Sequence, residues 1–445
     1  MKKAGKVSAY LLGFLILAVV LAAFQPLSDP AGLTNPPDEY FRYQVPQYIC
    51  AHGAIPTGLE PELRIPSYGF SYALYNAFPY IVMGLAMQVT SLFTSDPAAL
   101  LFTARMVNVL SGLLMAYVVW LTALRLFSRE RNRWVFCLAV TYQPMNIFVH
   151  SYVNTDSFCM LSVALIIYGM AVLMQDGPGL RSSLVLAAGV SLCALSYYSA
   201  YGAILAAAVF YLACLFRPDS SQPGRVRFDW AGFRKYGLLT VLLVLLGTAW
   251  WFIRSAIVLD GDFLGLRTRG ELTVAYGIPE VQAANTYAGR GISFGGMLGE
   301  MLRSRLPAKL AGTLIAAYGS LVIRPPVWFY AVSMLILLTG IAGCLIGFFR
   351  RDRCEISASS PFHARMFRIC MAVCILMPLV LYLLYCYRTD YQEQGRYLLP
   401  ALIPAMIWIS RGICRFPRIV PAACMVLLVF LAAWQVFAVA LPFWL

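Results

Sequence analysis

Long apolar runs recur along this chain, and they constrain its fold more than any other feature. The first is AYLLGFLILAVVLAAF at 9–24, and others of similar character follow at short intervals. A helix that crosses a hydrocarbon core of ~30 Å needs about 20 apolar residues, because its backbone groups must pair within the segment. Hydrophobic residues make up 60% of the 445 positions and charged residues only 12%. The sequence therefore predicts an all-α polytopic membrane protein.

Clusters of Lys and Arg indicate how the chain threads through the membrane. Cytoplasmic loops of bacterial-type inner-membrane proteins collect these residues, which also explains a net charge of +14 without a nucleic-acid partner. Placing the clusters inside predicts a multi-pass protein of the cytoplasmic (inner) membrane with its N-terminus in the cytoplasm. The clusters are Lys2/Lys3/Lys6, 125–133, Arg181, 217–236, 350–368 and 411–418. About eleven transmembrane helices follow, near 8–24, 99–127, 134–150, 157–175, 182–198, 200–216, 237–256, 328–349, 366–386, 398–412 and 419–440.

The chain is predicted to form a single membrane-embedded domain over residues 1–445. Two large outer loops interrupt it, at 25–98 and 257–327. Residues 70–95 are hydrophobic enough to cross, but one crossing there would move the basic cluster SRERNR at 128–133 outside. We therefore expect 70–95 to lie against the outer leaflet as a juxtamembrane or re-entrant element. Residues 310–323 are expected not to cross for the same reason, because one crossing there would move the later basic clusters outside.

Two adjacent carboxylates follow the first apolar segment, in the stretch NPPDEYFRY. Asn35 can cap a short helix, and the two prolines after it suit its first positions, so that Asp38 and Glu39 fall in the first turn. The positive end of the helix dipole keeps carboxylates ionised, which suits a general base. Arg42, four residues after Asp38, can pair with it. The alternative is that both acids only cap the helix.

A second polar stretch, HSYVNTDS at 150–157, falls at the outer junction of two predicted spans. Either Asn154 or Asp156 can cap the span that begins at Ser157. The functional alternative is that both side chains face the cavity of Asp38 and bind an acceptor hydroxyl or a divalent metal. His150 is interpreted as a satisfied interfacial histidine.

A third stretch, QEQGRYLLP at 392–400, places Arg396 at the outer edge of a span. Arg396 and Tyr397 can clamp a phosphate through charge-assisted hydrogen bonds. Arg254, in WWFIRS, reaches the same face, although a snorkelling arginine needs no function. Gln394 is assigned with Arg42, Asn154 and Asp156 to an acceptor or secondary site.

The chain carries no nucleotide-binding signature. An outward-facing enzyme would also meet no cytoplasmic nucleotide. Its activated substrate would come through the membrane, and a lipid-linked phosphate ester is the obvious form.

Four of these motifs together resemble the GT-C class of membrane glycosyltransferases. They are PPDEYFRY at 36–43, YVNTDS at 152–157, WWFIRSAIVLDGDFLG at 250–265 and QGRYLLPALIP at 394–404. The likeness is greatest to a bacterial branch known only as membrane proteins of unknown function. It extends from about residue 10 to residue 410, and it rests on the order of the motifs and their placement on one membrane face.

The resemblance implies a GT-C-like fold with juxtamembrane helices in the first outer loop. It implies a polyprenyl-phosphate sugar donor and a glycan, lipid or protein acceptor on the outer face of the membrane. Asp38 would be the base, with Glu39 as its alternative, and Arg396 would contact the donor phosphate, assisted by Arg254. Asp156 would match a second acidic site that some relatives use for acceptor or metal. No cofactor follows with certainty, since metal dependence varies within the class.

The predicted activity is that of an inverting hexosyl- or pentosyltransferase of cell-envelope glycan biosynthesis. A transporter or flippase for a lipid-linked saccharide is the alternative, because it would use the same arginines and aromatics without a base. Transporters usually carry inverted repeats and interrupted helices near the midplane. Polar residues gathered on one membrane face favour the enzyme. A non-catalytic scaffold is a third hypothesis. The sequence does not define the sugar or the acceptor.

Overall fold

The computed structural model describes residues 2–27, 35–218, 226–350 and 358–445. Parts of three predicted features lie outside these residues. Positions 28–34 belong to the first outer loop, 219–225 to the basic cluster at 217–236, and 351–357 to the cluster that begins at Arg350.

The described chain is almost entirely helical, as predicted. One two-stranded antiparallel ribbon, β1 (Phe216–Pro218) and β2 (Val226–Phe228), is the exception within the described ranges. Short 3₁₀ turns include Tyr72–Leu74, Tyr198–Ala200 and Gly395–Ala401. The α-helices are α1 Lys2–Phe24, α2 Glu39–His52, α3 Phe78–Ser91, α4 Pro97–Leu126, α5 Glu130–Thr141, α6 Pro144–Val149, α7 Asp156–Asp176, α8 Leu180–Ala194, α9 Tyr201–Cys214, α10 Trp230–Gly232, α11 Leu238–Val258, α12 Leu266–Tyr276, α13 Phe294–Arg303, α14 Leu306–Ile315, α15 Val327–Phe349, α16 Pro361–Arg388, α17 Leu402–Ile413, α18 Ile419–Trp434 and α19 Leu441–Trp444.

Seven helical segments in the described residues are long and apolar enough to cross a membrane. They lie at α1, α4, α7, α10–α11, α15, α16 and α18–α19, and each coincides with a predicted crossing. The other four predicted crossings fall on shorter or broken helices. These are α5 with α6, α8, α9, and α17 with the 3₁₀ turn before it.

The two apolar stretches predicted not to cross also form short helices. α3 has 14 residues and α14 has ten. At 1.5 Å per residue these helices are about 21 and 15 Å long, less than the ~30 Å hydrocarbon core. α2 and α3 occupy the first outer loop, where juxtamembrane helices were expected. α8 and α9 are equally short, although both fall on predicted crossings. Helix length therefore does not separate the two cases, and the expectation that 70–95 does not cross rests on the distribution of basic residues.

The core of the protein is centred on α7, in which 94% of an 18-residue stretch is buried. Its sequence is apolar on all sides because α4, α8 and α9 surround it. Elsewhere, small residues allow backbones to approach closely. A side chain at Gly343 of α15 would collide with the backbone of Gly412 in α17, so only glycine permits that crossing.

This packing brings four distant segments together. They are the start of α2, the α6–α7 junction, the 3₁₀ turn at Tyr72–Leu74 and the 3₁₀ turn at Gly395–Ala401. α2 packs on α3 and the Tyr72–Leu74 turn, while α7 contacts the Gly395–Ala401 turn. The polar motifs of the sequence therefore meet at the ends of these elements.

Candidate functional site

Asp38 lies immediately before α2 in a left-handed backbone conformation, with φ 64° and ψ 0°. Few residues with a side chain adopt this region, and such strain clusters at functional sites. The helix begins at Glu39, so the prediction that Asp38 falls within its first turn is wrong. Its carboxylate makes no capping hydrogen bond to α2. The capping interpretation therefore does not explain Asp38.

The Asp38 carboxylate instead pairs with two arginines. Arg396 Nη2 lies 2.7 Å from Asp38 Oδ2, and Arg42 Nη2 lies 3.6 Å from the same oxygen. The pairing of Asp38 with Arg42, predicted from their spacing, is present. About a third of the Asp38 side chain is exposed, whereas both arginine side chains are buried. The carboxylate is the accessible member of this cluster.

The charge state of Asp38 follows from this arrangement. Burial raises the pKa of its carboxyl group, but Arg396 and then Arg42 lower it by more. The net pKa lies below the ordinary value, so Asp38 is ionised at neutral pH.

Tyrosines from other segments hold the two arginines. Arg396 Nη1 donates a hydrogen bond to the Tyr152 hydroxyl at 2.9 Å. Arg42 Nη1 donates to the Tyr80 hydroxyl at 3.3 Å, and its guanidinium lies 4.6 Å from the Tyr72 ring centre. These contacts fix the guanidinium groups around Asp38.

Glu39 has a different partner, and it cannot replace Asp38 as an accessible base. Its fully buried carboxylate accepts hydrogen bonds from Arg105 Nε at 2.9 Å and Arg105 Nη2 at 2.6 Å. The Val153 backbone N–H donates a third, at 2.7 Å. The catalytic alternative at Glu39 stays a prediction, and these contacts favour a structural role. It anchors α2 to α4 and to the α6–α7 junction.

The sequence analysis missed Arg105, although a signal was present. Arg105 lies within the predicted span 99–127, and an ionisable residue inside a span indicates a partner or a function. Its Nη1 also donates to the backbone carbonyls of Ala22 and Gln25, at 2.9 and 2.8 Å. The Glu39–Arg105 pair thus ties the start of the first outer loop to the core.

Asn154 makes structural hydrogen bonds, and its assignment to an acceptor site stays a prediction. It is fully buried, and its side-chain oxygen accepts a hydrogen bond from the Ser157 backbone N–H at 3.1 Å. Its Nδ2 donates to the carbonyls of Val149 and Tyr152. The capping alternative for Asn154 is thereby confirmed.

Asp156 lies at the start of α7, close to the site. It is 7% exposed and acts electrostatically on Arg42 and Arg396. The two arginines therefore interact electrostatically with two carboxylates, Asp38 and Asp156. His150 is fully buried, and its Nδ1 lies 2.7 Å from the Asn146 carbonyl. His150 packs in the core, and in the described residues it belongs to no group of side chains that could hold a metal ion.

Arg254 does not reach the site. Its Nη2 donates to the backbone carbonyls of Ile55 and Pro56, at 3.0 and 2.9 Å. Its guanidinium also lies 5.4 Å from the Trp251 ring centre. These contacts engage its guanidinium, and a donor-phosphate role for Arg254 stays a prediction. Arg254 holds the first outer loop against α11.

Tyr397 and Gln394 both lie at the site, on different sides of it. The Arg396 guanidinium is 5.6 Å from the Tyr397 ring centre, and Tyr397 stacks on Tyr385 with centroids 5.9 Å apart. Gln394 borders a separate cavity together with Asp38.

A groove of about 360 Å³ opens beside the cluster, and we call it the tyrosine groove. Tyr75, Tyr198, Tyr385 and Tyr397 line it, and apolar residues of α16 around Pro378 form one wall. A smaller cavity of about 60 Å³ shares these tyrosines and reaches Asp38 and Arg42. The groove therefore shares a wall with the cavity that reaches the carboxylate.

Arg269 of α12 also lines the tyrosine groove, and the sequence analysis missed it. Its Nη1 donates to the Tyr75 hydroxyl at 3.1 Å, and its guanidinium lies 5.8 Å from the Phe70 ring centre. Its electrostatic neighbours are tyrosines, and no carboxylate in the described residues forms an ion pair with it. Arg269 is therefore a half-buried cation beside an apolar groove. No motif spacing in the second outer loop marked it.

Within the described ranges, no group of three or more His, Cys, Asp or Glu side chains could hold a metal ion. Asp38 is instead neutralised by guanidinium groups.

The family described as "Predicted membrane protein (DUF2142)" matches residues 64–404. A search of curated proteins finds no match. The matched range includes Asp156, Arg269 and Arg396, and it begins after Asp38.

Solved structures with the same fold are membrane glycosyltransferases. ArnT from Cupriavidus metallidurans, bound to undecaprenyl phosphate, aligns over 94% of this chain with 14% identity and a TM-score of 0.56. The oligosaccharyltransferase AglB from Archaeoglobus fulgidus, in complex with an inhibitory peptide and a dolichol-phosphate, aligns over 98% with 11% identity and a TM-score of 0.51. Another structure of an A. fulgidus oligosaccharyltransferase, with Zn and sulfate, aligns over 96% with 12% identity and a TM-score of 0.54.

The predicted GT-C-like fold is confirmed by this similarity. The identities are too low to carry more than the fold. This chain spans 62%, 56% and 53% of the lengths of these three proteins, respectively.

Proposed function

Since this chain belongs to the family of predicted membrane proteins (DUF2142) and has the GT-C fold, we propose that it is a glycosyltransferase. It moves a sugar from a polyprenyl-phosphate donor to an acceptor on the outer face of a bacterial-type cytoplasmic membrane. One observation carries this proposal. An ionised, accessible Asp38 lies between Arg42 and Arg396, at the end of an apolar groove that carries a further cation.

The tyrosine groove suits the lipid donor. A polyprenyl chain needs an apolar surface, which the groove provides beside α16. A phosphate needs cationic hydrogen-bond donors, and Arg269 has no carboxylate partner in the described residues to compete with it. ArnT and AglB were each solved with a polyprenol-type phosphate, which supports this assignment by analogy of fold.

The reaction is an inverting displacement. The acceptor oxygen forms a bond to the anomeric carbon while the bond from that carbon to the phosphate oxygen breaks. The acceptor proton moves to Asp38, and the lipid phosphate leaves with the bonding electrons. Arg396, Arg42 and Arg269 stabilise the charge that develops on this phosphate. A positioned base usually contributes 10²–10⁴-fold to the rate.

Arg396 links the base to the leaving group, because it pairs with Asp38 and is the proposed ligand of the donor phosphate. In the structure it neutralises Asp38, which makes the carboxylate a weaker base. A donor phosphate competes for the same guanidinium. Once Arg396 turns toward the phosphate, the pKa of Asp38 rises, so the base becomes stronger when donor is bound.

The test is a transfer assay with the purified full-length chain in detergent. A panel of radiolabelled polyprenyl-phosphate sugars is offered with an envelope extract as acceptor source, with and without EDTA. We expect the wild type to release or transfer sugar, and Asp38→Asn to lose at least 100-fold in rate while still binding donor. Glu280→Gln, an exposed carboxylate in the second outer loop, is the matched control.

Two outcomes would contradict the proposal. Equal transfer by wild type and Asp38→Asn would remove Asp38 from the chemistry. Donor binding without cleavage by either protein, together with translocation of the lipid in liposomes, would support the flippase.

A further inference from the structure

A second cavity lies on the other side of Asp38 from the tyrosine groove, and we call it the outer cavity. Its volume is about 210 Å³. Asp38, Tyr40, Ser320, Leu321 and Gln394 line it. It draws on α2, on the hairpin turn closed by the Tyr318–Ile323 bridge, and on the segment before Arg396. Among the described residues, Asp38 borders both this cavity and the one that leads to the groove.

The two sides of Asp38 differ in charge. Arg42 borders the groove side, and Arg269 lies further along it. No Lys, Arg or His side chain of the described residues lines the outer cavity. Its charged members are Asp38 and Glu39, and the Glu39 carboxylate is bound to Arg105. A phosphate or carboxylate entering here would find no cation on the cavity wall to pair with, because Arg42 and Arg396 are already paired with Asp38 and Arg105 with Glu39.

The outer cavity also offers an unused hydrogen-bond acceptor. Gln394 Oε1 is buried and has no hydrogen-bond partner among the described residues, while Gln394 Nε2 donates to Gln392 Oε1 at 3.2 Å. A buried acceptor without a partner is unfavourable, so a ligand hydroxyl that donates to it gains affinity. Leu321 has φ 67°, which places a second strained backbone beside Asp38 at this cavity.

We propose that the outer cavity binds the acceptor, and that the acceptor group is an uncharged sugar unit. This inference rests on the proposed function and defines its acceptor class. Sites for drug-sized ligands hold about 300–1,000 Å³, so a volume of about 210 Å³ suits one sugar ring. The Gln394 carbonyl accepts a hydroxyl proton, and Asp38 accepts the proton of the attacking hydroxyl. The acceptor oxygen then forms its bond to the anomeric carbon, its proton passes to Asp38, and the lipid phosphate leaves on the groove side with the bonding electrons.

The first test measures binding alone, so it does not depend on finding the donor. Saturation-transfer NMR is recorded on the full chain in detergent with methyl glucoside, and with methyl glucuronide, which adds a carboxylate to the same ring. We expect a signal for the neutral glycoside and a signal at least tenfold weaker for the uronide. Equal signals, or none for methyl glucoside, would overturn the inference.

The second measurement locates the site. Ser320→Trp fills the cavity from an exposed position, and it should abolish the glucoside signal. Ser95→Trp makes the same chemical change in the exposed turn between α3 and α4 and should leave the signal intact. Loss of signal in neither variant would place the glycoside elsewhere and reject the outer cavity. A wild type that cleaves donor but does not bind glucoside keeps the proposed function and overturns this inference.

Discussion

Asp38 and Arg396 are 358 positions apart in the sequence, and an ion pair of 2.7 Å joins Asp38 Oδ2 to Arg396 Nη2. The pair connects the first outer loop to the segment before α17. Arg396 also holds Tyr152 at the α6–α7 junction, so one guanidinium group bridges three distant parts of the chain.

The pH dependence of activity should reveal the Asp38–Arg396 pair. Because the two arginines outweigh burial and lower its pKa, Asp38 stays ionised below the ordinary value of about 3.9. We expect kcat/KM for donor cleavage to be constant from neutral pH down to about 4. Arg396→Met removes the stronger cation, so the acid limb should move to higher pH. If the acid limbs of the kcat/KM profiles of wild type and Arg396→Met superimpose, the pairing of Asp38 with Arg396 is contradicted.

The same lowered pKa predicts how Asp38 contributes to stability. A carboxyl whose pKa is lower in the folded state stabilises the fold above its unfolded-state pKa. This contribution is lost as the pH falls through the folded-state value. Thermal unfolding in detergent should therefore show Asp38→Asn less stable than wild type at pH 7, with a smaller difference in acid. A difference that grows as the pH falls would have the wrong sign.

Arg269 should affect donor binding more than catalysis. Arg269→Met removes a cation from the tyrosine groove while keeping an apolar side chain of similar length. We expect KM for the polyprenyl-phosphate donor to rise about tenfold, equivalent to about 1.4 kcal/mol, with a smaller change in kcat. Arg303→Met, at an exposed position of α13, is the control. An unchanged KM in Arg269→Met would move the phosphate site away from α12.

Glu39 and Arg105 should behave as a structural pair. Glu39→Gln leaves a buried guanidinium without its counter-charge, which typically costs about 3–5 kcal/mol. We expect a lower unfolding temperature, with activity retained by the folded fraction. The double variant Glu39→Gln/Arg105→Met should recover part of the loss. A well-folded, inactive Glu39→Gln would instead assign Glu39 to the chemistry.

Arg254 should affect stability without affecting the donor. Arg254→Met breaks two hydrogen bonds to the carbonyls of Ile55 and Pro56. Each bond to a charged group contributes about 1.5–3 kcal/mol at most. We expect a lower unfolding temperature and an unchanged donor KM. A donor KM raised as much as in Arg269→Met would restore Arg254 to the phosphate site.

Part of the site could be predicted from the sequence because its contacts are local or chemically unusual. Arg42 lies four residues from Asp38, so their pairing follows from helical spacing. Asn154 was correctly recognised as a candidate cap, but the same polar pattern also suited a binding site. Glu39 and Asp38 are equivalent in sequence. Only the backbone turn at Asp38 directs one carboxylate to the cavity and the other to Arg105.

The sequence by itself determined the helical membrane architecture, because the hydrocarbon core imposes a minimum length of apolar helix that can be counted. It also identified the motifs that carry Asp38 and Arg396. The tertiary structure alone decided that Asp38 meets Arg396 and that Glu39 meets Arg105, since these guanidinium groups come from segments 358 and 66 positions away. It paired Arg254 with backbone carbonyls of the first outer loop, introduced Arg105 and Arg269, and placed Asp38 at the edge of two cavities of which only one has an arginine in its lining. Such contacts depend on helix packing and side-chain direction, which hydrophobic patterning does not encode.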